Sequence, residues 1–250
     1  MFRLFYNQTL EKNEYSMFNF KQFSVEDGNS PMKVGTDAVL LGAWAPTLPD
    51  AKILDIGTGC GVISLMLAQR SDNAKITAID IDNGAWNDAC NNFKNSPWSG
   101  NIKAIECTVQ TFATQHKNAF DIIVSNPPFF EDSLKSNKTK RNIARHTDSL
   151  PFAELITAID LLLNNDGTFA AILPYNEGLK FIAEAKGYGL HCFKTTLVAN
   201  KPSAEVKRIM FCLSRKELSV AETPTLYIRN EDNSYSAEYL ELTKDFYTFI

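Results

Sequence analysis

The residues best suited to chemistry lie in one stretch, Phe120-Asp-Ile-Ile-Val-Ser-Asn126-Pro127-Pro128-Phe129-Phe130. Asn126 carries a side-chain oxygen that accepts hydrogen bonds. The two prolines after it donate none and fix their own φ, so Asn126 and the nearby carbonyls are held in a stiff loop. Phe129 offers a flat face on which a planar group can stack. Two acceptors and one aromatic wall suit a planar primary amine or amide. The plain alternative is a proline-rich turn with Phe129 and Phe130 in the core.

A second stretch has the chemistry of a small-molecule site. Lys52-Ile-Leu-Asp55 reads as a buried strand and runs into Gly57-Thr58-Gly59-Cys60-Gly61, and Val62 to Arg70 then has helical periodicity. Glycines let the backbone turn tightly and pass close to a ligand. A dinucleotide site wants Gly-x-Gly-x-x-Gly, but here Val62 takes the third glycine's place and the acid Asp55 precedes the first. Asp-x-Gly-x-Gly-x-Gly is the pattern of an S-adenosylmethionine site, where no phosphate has to be accommodated. The next strand, Ala74 to Asp80, ends in an acid that can accept both hydroxyls of a ribose. Cys60 could act as a nucleophile, but no histidine lies near it in sequence.

These residues need an open α/β sheet whose strand ends gather them at one edge. Phe120 to Val124 is an apolar run, read as a buried parallel strand with Asn126 at its carboxyl end. Further strands are expected at Asn19–Val25, Asn101–Val109, Thr168–Leu173, Leu190–Val198, Arg208–Leu213 and Thr225–Arg229. The link between Val198 and Arg208 is too short for a helical crossover, so those two strands should be antiparallel. Helices are expected at Ala38–Trp44 with Thr36 or Asp37 as N-cap, and at Asn83–Lys94, Pro151–Asn164, Glu177–Lys186 and Ala237–Phe249.

The chain of 250 residues is 44% hydrophobic and 22% charged, ordinary globular material. Its apolar runs are too short to span a bilayer, and its first residues lack the apolar stretch of a signal peptide. Five cysteines without a Cys-x-x-Cys pair argue against a structural metal or a disulfide framework. A cytoplasmic protein with reduced thiols is expected, with no metal and no membrane partner. The net charge of −4 does not announce a nucleic-acid binder. Residues 133–146, however, carry Lys135, Lys138, Lys140, Arg141 and Arg145 and no acid, just after the Asn-Pro-Pro-Phe loop. A solvated loop is one reading, and a path for a polyanion is the other.

Taken together, Asp55 to Gly61, Asp80 and Ile123-Val-Ser-Asn126-Pro-Pro-Phe129 resemble the class I S-adenosylmethionine-dependent N-methyltransferases. Outside the core, Phe20 to Val25, Met32-Lys-Val-Gly-Thr-Asp37, Leu40 to Trp44, Arg141 with Ala144-Arg145, and the tail around Tyr235, Tyr239 and Tyr247 resemble the bacterial tRNA1(Val) (adenine-N6)-methyltransferases. The resemblance implies a Rossmann-like fold: seven mostly parallel strands, one of them antiparallel, with short additions at both ends. It implies one domain in three parts: 1–50 completing the cofactor site, 51–216 as core, and 217–250 packed on the core. The implied activity is methylation of N6 of the adenosine next to the anticodon (position 37) of a tRNA, tRNA1(Val) in that family, by a protein expected to be monomeric. The alternative is another exocyclic or amide nitrogen, on an rRNA base or a protein glutamine. A glutamine methyltransferase is expected to have a larger N-terminal helical domain. A non-catalytic RNA-binding module is a further rival, against which the intact Asp55, Asp80 and Asn126 speak.

The resemblance also implies roles. Gly35, Thr36 and Asp37 approach the methionine end of S-adenosyl-L-methionine, Asp55, Gly57, Thr58, Gly59 and Gly61 form its loop, and Asp80 with Ile81 takes the ribose end. Asn126, Pro127 and Phe129 are catalytic, with Asn126 also next to the cofactor. Phe129, Phe130, Lys138, Lys140, Arg141 and Arg145 meet the substrate. Thr108 stands where such enzymes often carry an aspartate for the cofactor adenine. If the basic stretch carries RNA, Arg141→Glu with Arg145→Glu raises the Michaelis constant for tRNA, flattens its salt dependence and leaves cofactor affinity unchanged. Filter binding across a salt series checks this, and unchanged binding returns the stretch to a solvated loop.

Overall fold

The computed structural model describes residues 17–127 and 150–248. A mixed sheet runs through its centre. Its core strands are β3 (Lys52–Ile56), β4 (Lys75–Asp80), β5 (Ile102–Glu106), β6 (Phe120–Ser125), β7 (Leu163–Pro174), β8 (His191–Ala199) and β9 (Val206–Ser214). Their order across the sheet is β5-β4-β3-β6-β7-β9-β8. The pairs from β5 to β7 are parallel, and β9 alone runs antiparallel, to both β7 and β8. This is the class I methyltransferase form of the Rossmann-like fold. Two short strands, β10 (Ala221–Glu222) and β11 (Leu226–Tyr227), pair with β8 and bring the sheet to nine strands.

The strands are apolar on both faces, as a parallel sheet covered by helices requires. Along β3, β6, β7 and β9 alternate residues enter opposite cores: Ile53, Ile122, Ala170 and Met210 face one, while Leu54, Ile123, Ala171 and Phe211 face the other. Helices α1 (Thr36–Trp44), α2 (Val62–Arg70) and α3 (Asn83–Lys94) cover the first face, and α4 (Val109–Gln115), α5 (Phe152–Leu162) and α6 (Tyr175–Lys186) cover the second. The C-terminal helix α7 (Ala237–Thr243) joins the first.

Several expected elements take other forms. Asn19–Val25 is not one strand but a hairpin of β1 (Met17–Asn19) and β2 (Ser24–Glu26). The amide of Phe20 donates to the carbonyl of Phe23 at 2.8 Å, and the two rings stack with centroids 4.6 Å apart. Residues three apart on one strand face opposite sides, so that stacking needs the turn. The N-cap of α1 is Gly35, without a side-chain cap, and Thr36 and Asp37 are already helical. The third core strand ends at Glu106, and α4 follows it with Thr108 as N-cap. Strand β7 starts at Leu163, directly after α5, and a register shift between Phe120 and Ile122 of β6 absorbs the Asn164–Gly167 stretch. Helix α7 stops at Thr243, because the chain then turns so that Tyr247 bridges to Phe20.

Gly61 is the tightest point between helices. It caps α2 with φ +85, and a Cβ there would lie 2.4 Å from the Phe93 ring of α3. Gly61→Ala therefore combines left-handed strain with overpacking and should cost about 2–4 kcal/mol. Urea unfolding should show a lower midpoint with an unchanged slope.

Candidate active site

Strand order reverses between β3 and β6, and an open α/β sheet binds ligands at such a point, outside the carboxyl ends of its strands. Ile56 and Ser125 are register partners there, and the Ser125 hydroxyl donates to the Ile56 carbonyl at 2.9 Å. The glycine loop begins at the next residue of one strand and Asn126 is the next residue of the other. Both sequence-derived sites thus start side by side.

The loop is held from beneath by Asp55, which is fully buried. Its Oδ2 accepts the hydroxyls of Thr58 at 2.7 Å and Ser64 at 2.8 Å. Its Oδ1 has no hydrogen-bond partner among the described residues. Burial pushes the Asp55 carboxyl up from 3.8 to about 6; the Thr58 and Ser64 hydroxyls pull it down, and the Asp80 charge raises it again. Thr58, named as a ligand contact by resemblance, is thus turned toward Asp55 and is itself buried. Gly57 and Gly59 have φ of +72 and +56, and a Cβ on either would meet nothing within 4 Å. The loop needs glycine for its backbone and leaves open space in front of it. Gly61 differs, since its Cβ position faces Phe93, so its place is in helix packing. Cys60 is buried and its thiol is pushed up to about 12, which removes it as a nucleophile.

Asp80 closes the loop from the β4 side. Its Oδ2 accepts the Gly59 amide at 2.8 Å and its Oδ1 accepts the Asp82 amide at 2.9 Å. Each oxygen keeps a lone pair for a further donor. Burial raises the Asp80 carboxyl above its usual range. Ile81, beside it, is 69% exposed, an apolar surface at the mouth of the site. Thr108 accepts the Thr111 amide at 3.1 Å and donates to the Thr111 hydroxyl at 2.9 Å. Its oxygen serves first as a helix cap, with one lone pair left over.

Helix α3 ties a third segment to this edge. Asp88 and Asn92 lie in its buried stripe with Ala85, Ala89 and Phe93. Asp88 accepts the amides of Asn29 and Ser30 and the Ser30 hydroxyl at 2.7–2.9 Å. Asn92 bonds both backbone groups of Glu26 and donates to the Cys60 carbonyl at 2.8 Å. Residues 26–30 are thereby laid against α3, and the chain runs on to Gly35, Thr36 and Asp37 at the start of α1. Asp37 forms an ion pair with Arg208 of β9 at 2.8 Å. Asp88, Asn92 and Arg208 had no role in the sequence reading. Two polar residues inside a helix's apolar stripe were the available signal for the first two. Arg208 offered none.

Asn126 is half-buried and Pro127 buried. No hydrogen bond joins the Asn126 side chain to another described residue. Phe129, Phe130, Lys138, Lys140, Arg141 and Arg145 lie outside the described residues. Among the described residues, no group of three or more His, Cys, Asp or Glu could hold a metal ion, and no helix is long and apolar enough to cross a membrane.

The methyltransferase small domain family matches residues 30–150. A predicted O-methyltransferase of Agrobacterium tumefaciens shares the fold, with a TM-score of 0.68 at 18% identity over 84% of this chain and 96% of that one. The tRNA1(Val) (adenine(37)-N6)-methyltransferase of Flavobacterium johnsoniae is 44% identical over 232 residues, 92% of this chain and 99% of its own. That of Pseudoalteromonas translucida is 42% identical over 93% of this chain and 98% of its own. The chain belongs to this tRNA1(Val) (adenine(37)-N6)-methyltransferase family. In this member of the family, the acceptor set suits a ligand that carries a diol and a cationic amine. Asp80 offers two acceptors, and Asp55 keeps one unpartnered oxygen beneath an open glycine loop.

The raised Asp55 carboxyl has a consequence for stability. Its folded pKa lies above the unfolded value, so the native state holds the proton more tightly. The stabilisation from protonated Asp55 is full below about pH 4 and is lost as pH rises to about 6. Asp55→Asn should remove that fall from the stability profile while weakening cofactor binding at least ~10-fold, since the neutral amide cannot attract a cation. Urea unfolding at several pH values and calorimetry with S-adenosylmethionine check the two halves.

Proposed function

We propose that the chain methylates N6 of adenosine 37, beside the anticodon of tRNA1(Val), with S-adenosylmethionine as methyl donor. The observation that carries the reading is the lock between Ser125 and Ile56, which starts the amine-accepting loop and the glycine loop at adjacent points of one sheet edge. Membership in a family named for this reaction supplies the substrate.

Asp80 holds the ribose hydroxyls, and the exposed Ile81 lies against the cofactor beside it. The backbone of Gly57 to Gly59 lies against the middle of the cofactor. Residues before 51 complete its methionine end through Gly35 to Asp37. When bound, the sulfonium cofactor supplies an electrophilic methyl group. The acids at the ends of β3 and β4, Asp55 and Asp80, suit that cationic ligand.

The N6 amine of adenine is a poor nucleophile because its lone pair is delocalised into the ring. The side-chain oxygen of Asn126 and the carbonyl of Pro127 accept its two N–H groups. This draws the nitrogen toward tetrahedral geometry and aims the lone pair. Phe129 fixes the plane of the base by stacking. An adenosine in an RNA loop leaves its neighbours at low cost, which suits a pocket that takes a single base. The five cysteines are unpaired, which supports a reducing, cytoplasmic location.

Asn126→Ala removes one acceptor and leaves the rest of the pocket. The single-turnover rate at saturating tRNA should fall on the order of 100-fold, with both substrates still bound. Asn126→Asp keeps an acceptor in place and should retain part of the rate. Transfer of labelled methyl to tRNA1(Val), followed by nucleoside analysis, tests the reading. A wild-type rate in Asn126→Ala, or label in a product other than N6-methyladenosine, would overturn it.

A further inference from the structure

An ion pair joins the start of α1 to β9, across the sheet edge from the glycine loop. Arg208 Nε donates to Asp37 Oδ2 at 2.8 Å, between residues 171 apart in sequence. Arg208 Nη1 also donates to the Lys207 carbonyl at 3.0 Å. The Arg208 and Asp37 side chains are 24% and 27% exposed, so the pair is partly shielded from water. Arg208 is the register partner of Pro174, the last residue of β7, on the strand edge next to β6 and Asn126. Asp37 stands in the first turn of α1, whose N-cap, Gly35, has no side-chain cap.

An acid in the first turn of a helix is already favoured by the helix dipole and its free amides. The arginine decides where that helix end sits. Asn92 and Asp88 tether the preceding segment at residues 26–30, but only on the α3 side. Arg208 ties α1's first turn to the target side of the sheet through Asp37.

We infer that Arg208 is a positioning residue, which acts through Asp37 to set the methionine end of the cofactor site against the amine-accepting loop. The inference rests on the reading above of those two regions as donor and target sites. A shift of about 1 Å between reacting groups costs about 100-fold in rate. The pair should therefore control transfer more than binding.

The test is a double-mutant cycle in single-turnover transfer, with both substrates saturating. Arg208→Gln and Asp37→Asn should each slow transfer roughly 10- to 100-fold, and Arg208→Gln should change cofactor affinity and the tRNA Michaelis constant by less than about 3-fold. The double variant should be no slower than the slower single variant, and Arg208→Lys should recover part of the rate by restoring a cation. A purely structural pair would lower the melting temperature and leave the transfer rate of the folded enzyme alone. Additive losses in the double variant overturn the inference. So does a raised tRNA Michaelis constant with flattened salt dependence in Arg208→Gln beside a wild-type Asp37→Asn, which makes Arg208 a phosphate contact. Amide exchange over residues 33–39 gives a readout that needs no substrate. Arg208→Gln should speed it, and unchanged exchange overturns the inference even if tRNA proves not to be the substrate. Absence of transfer by the wild-type protein counts against the proposed function instead.

Discussion

Where β3 ends, its backbone leaves the sheet, and its amides must find acceptors elsewhere. A buried amide without a partner costs about as much as a lost hydrogen bond, so this requirement shapes everything near the site. The Ile79 carbonyl takes the amides of Gly57 and Thr58 at 2.9 and 3.1 Å. Asp80 takes that of Gly59, and the Thr58 carbonyl takes that of Gly61. The Cys60 carbonyl receives Asn92. The same bonds that complete the loop's backbone also fix β4, α3 and the N-terminal segment around it. Asp80 thus serves two ends at once: one lone pair of each oxygen goes to the protein, and the others remain for a ligand.

Asp55 shows the opposite economy. A carboxylate with no exposed surface and one unpartnered oxygen is poorly placed for stability. An apolar residue would pack there, but it could not organise Thr58 and Ser64 or present a charge to the loop. Local departures from the most stable choice gather at functional sites, and this is the clearest one here. The rest of the sheet edge follows the ordinary rules of packing.

Much of this was legible in the residues. Ile53-Leu54 and Ile122 to Val124 alternate between the two cores, as the strands of a covered parallel sheet do. Gly57, Gly59 and Gly61 fall at positions of positive φ, so their spacing carried backbone geometry directly. Asp80 and Asn126 stand at strand ends, where side chains are free to meet a ligand. The failures have physical causes too. Phe20 and Phe23 were read as parts of one strand because partial alternation does not reveal a two-residue turn. Helix α4 is only seven residues long, too short for a periodic signal. The spacing of the loop does not reveal that the Cβ position of Gly61 faces Phe93 or that the Thr58 hydroxyl donates to Asp55. Arg208 and Asp37 are joined across 171 residues, a distance at which neither local propensity nor pattern carries information.

The polar pair on α3 bears on the order in which the molecule is made. Glu26 bonds Asn92, 66 residues later, and Ser30 bonds Asp88, 58 residues later. Phe20 bridges to Tyr247, near the other end of the described residues. Synthesis runs from the N-terminus, so the hairpin and the segment after it emerge before their partners and wait for them. Contacts of such long sequence separation form late, because loop closure must precede them. The β3–β4–α3 unit can close on its own glycine loop early in translation. The strip from Glu26 to Ser30, though made before β3, is among the last of the described parts to be seated. A nascent chain halted after β6 would hold the glycine loop and Asn126 but lack Arg208 and Tyr247, and the first turn of α1 would stay unfastened on that side.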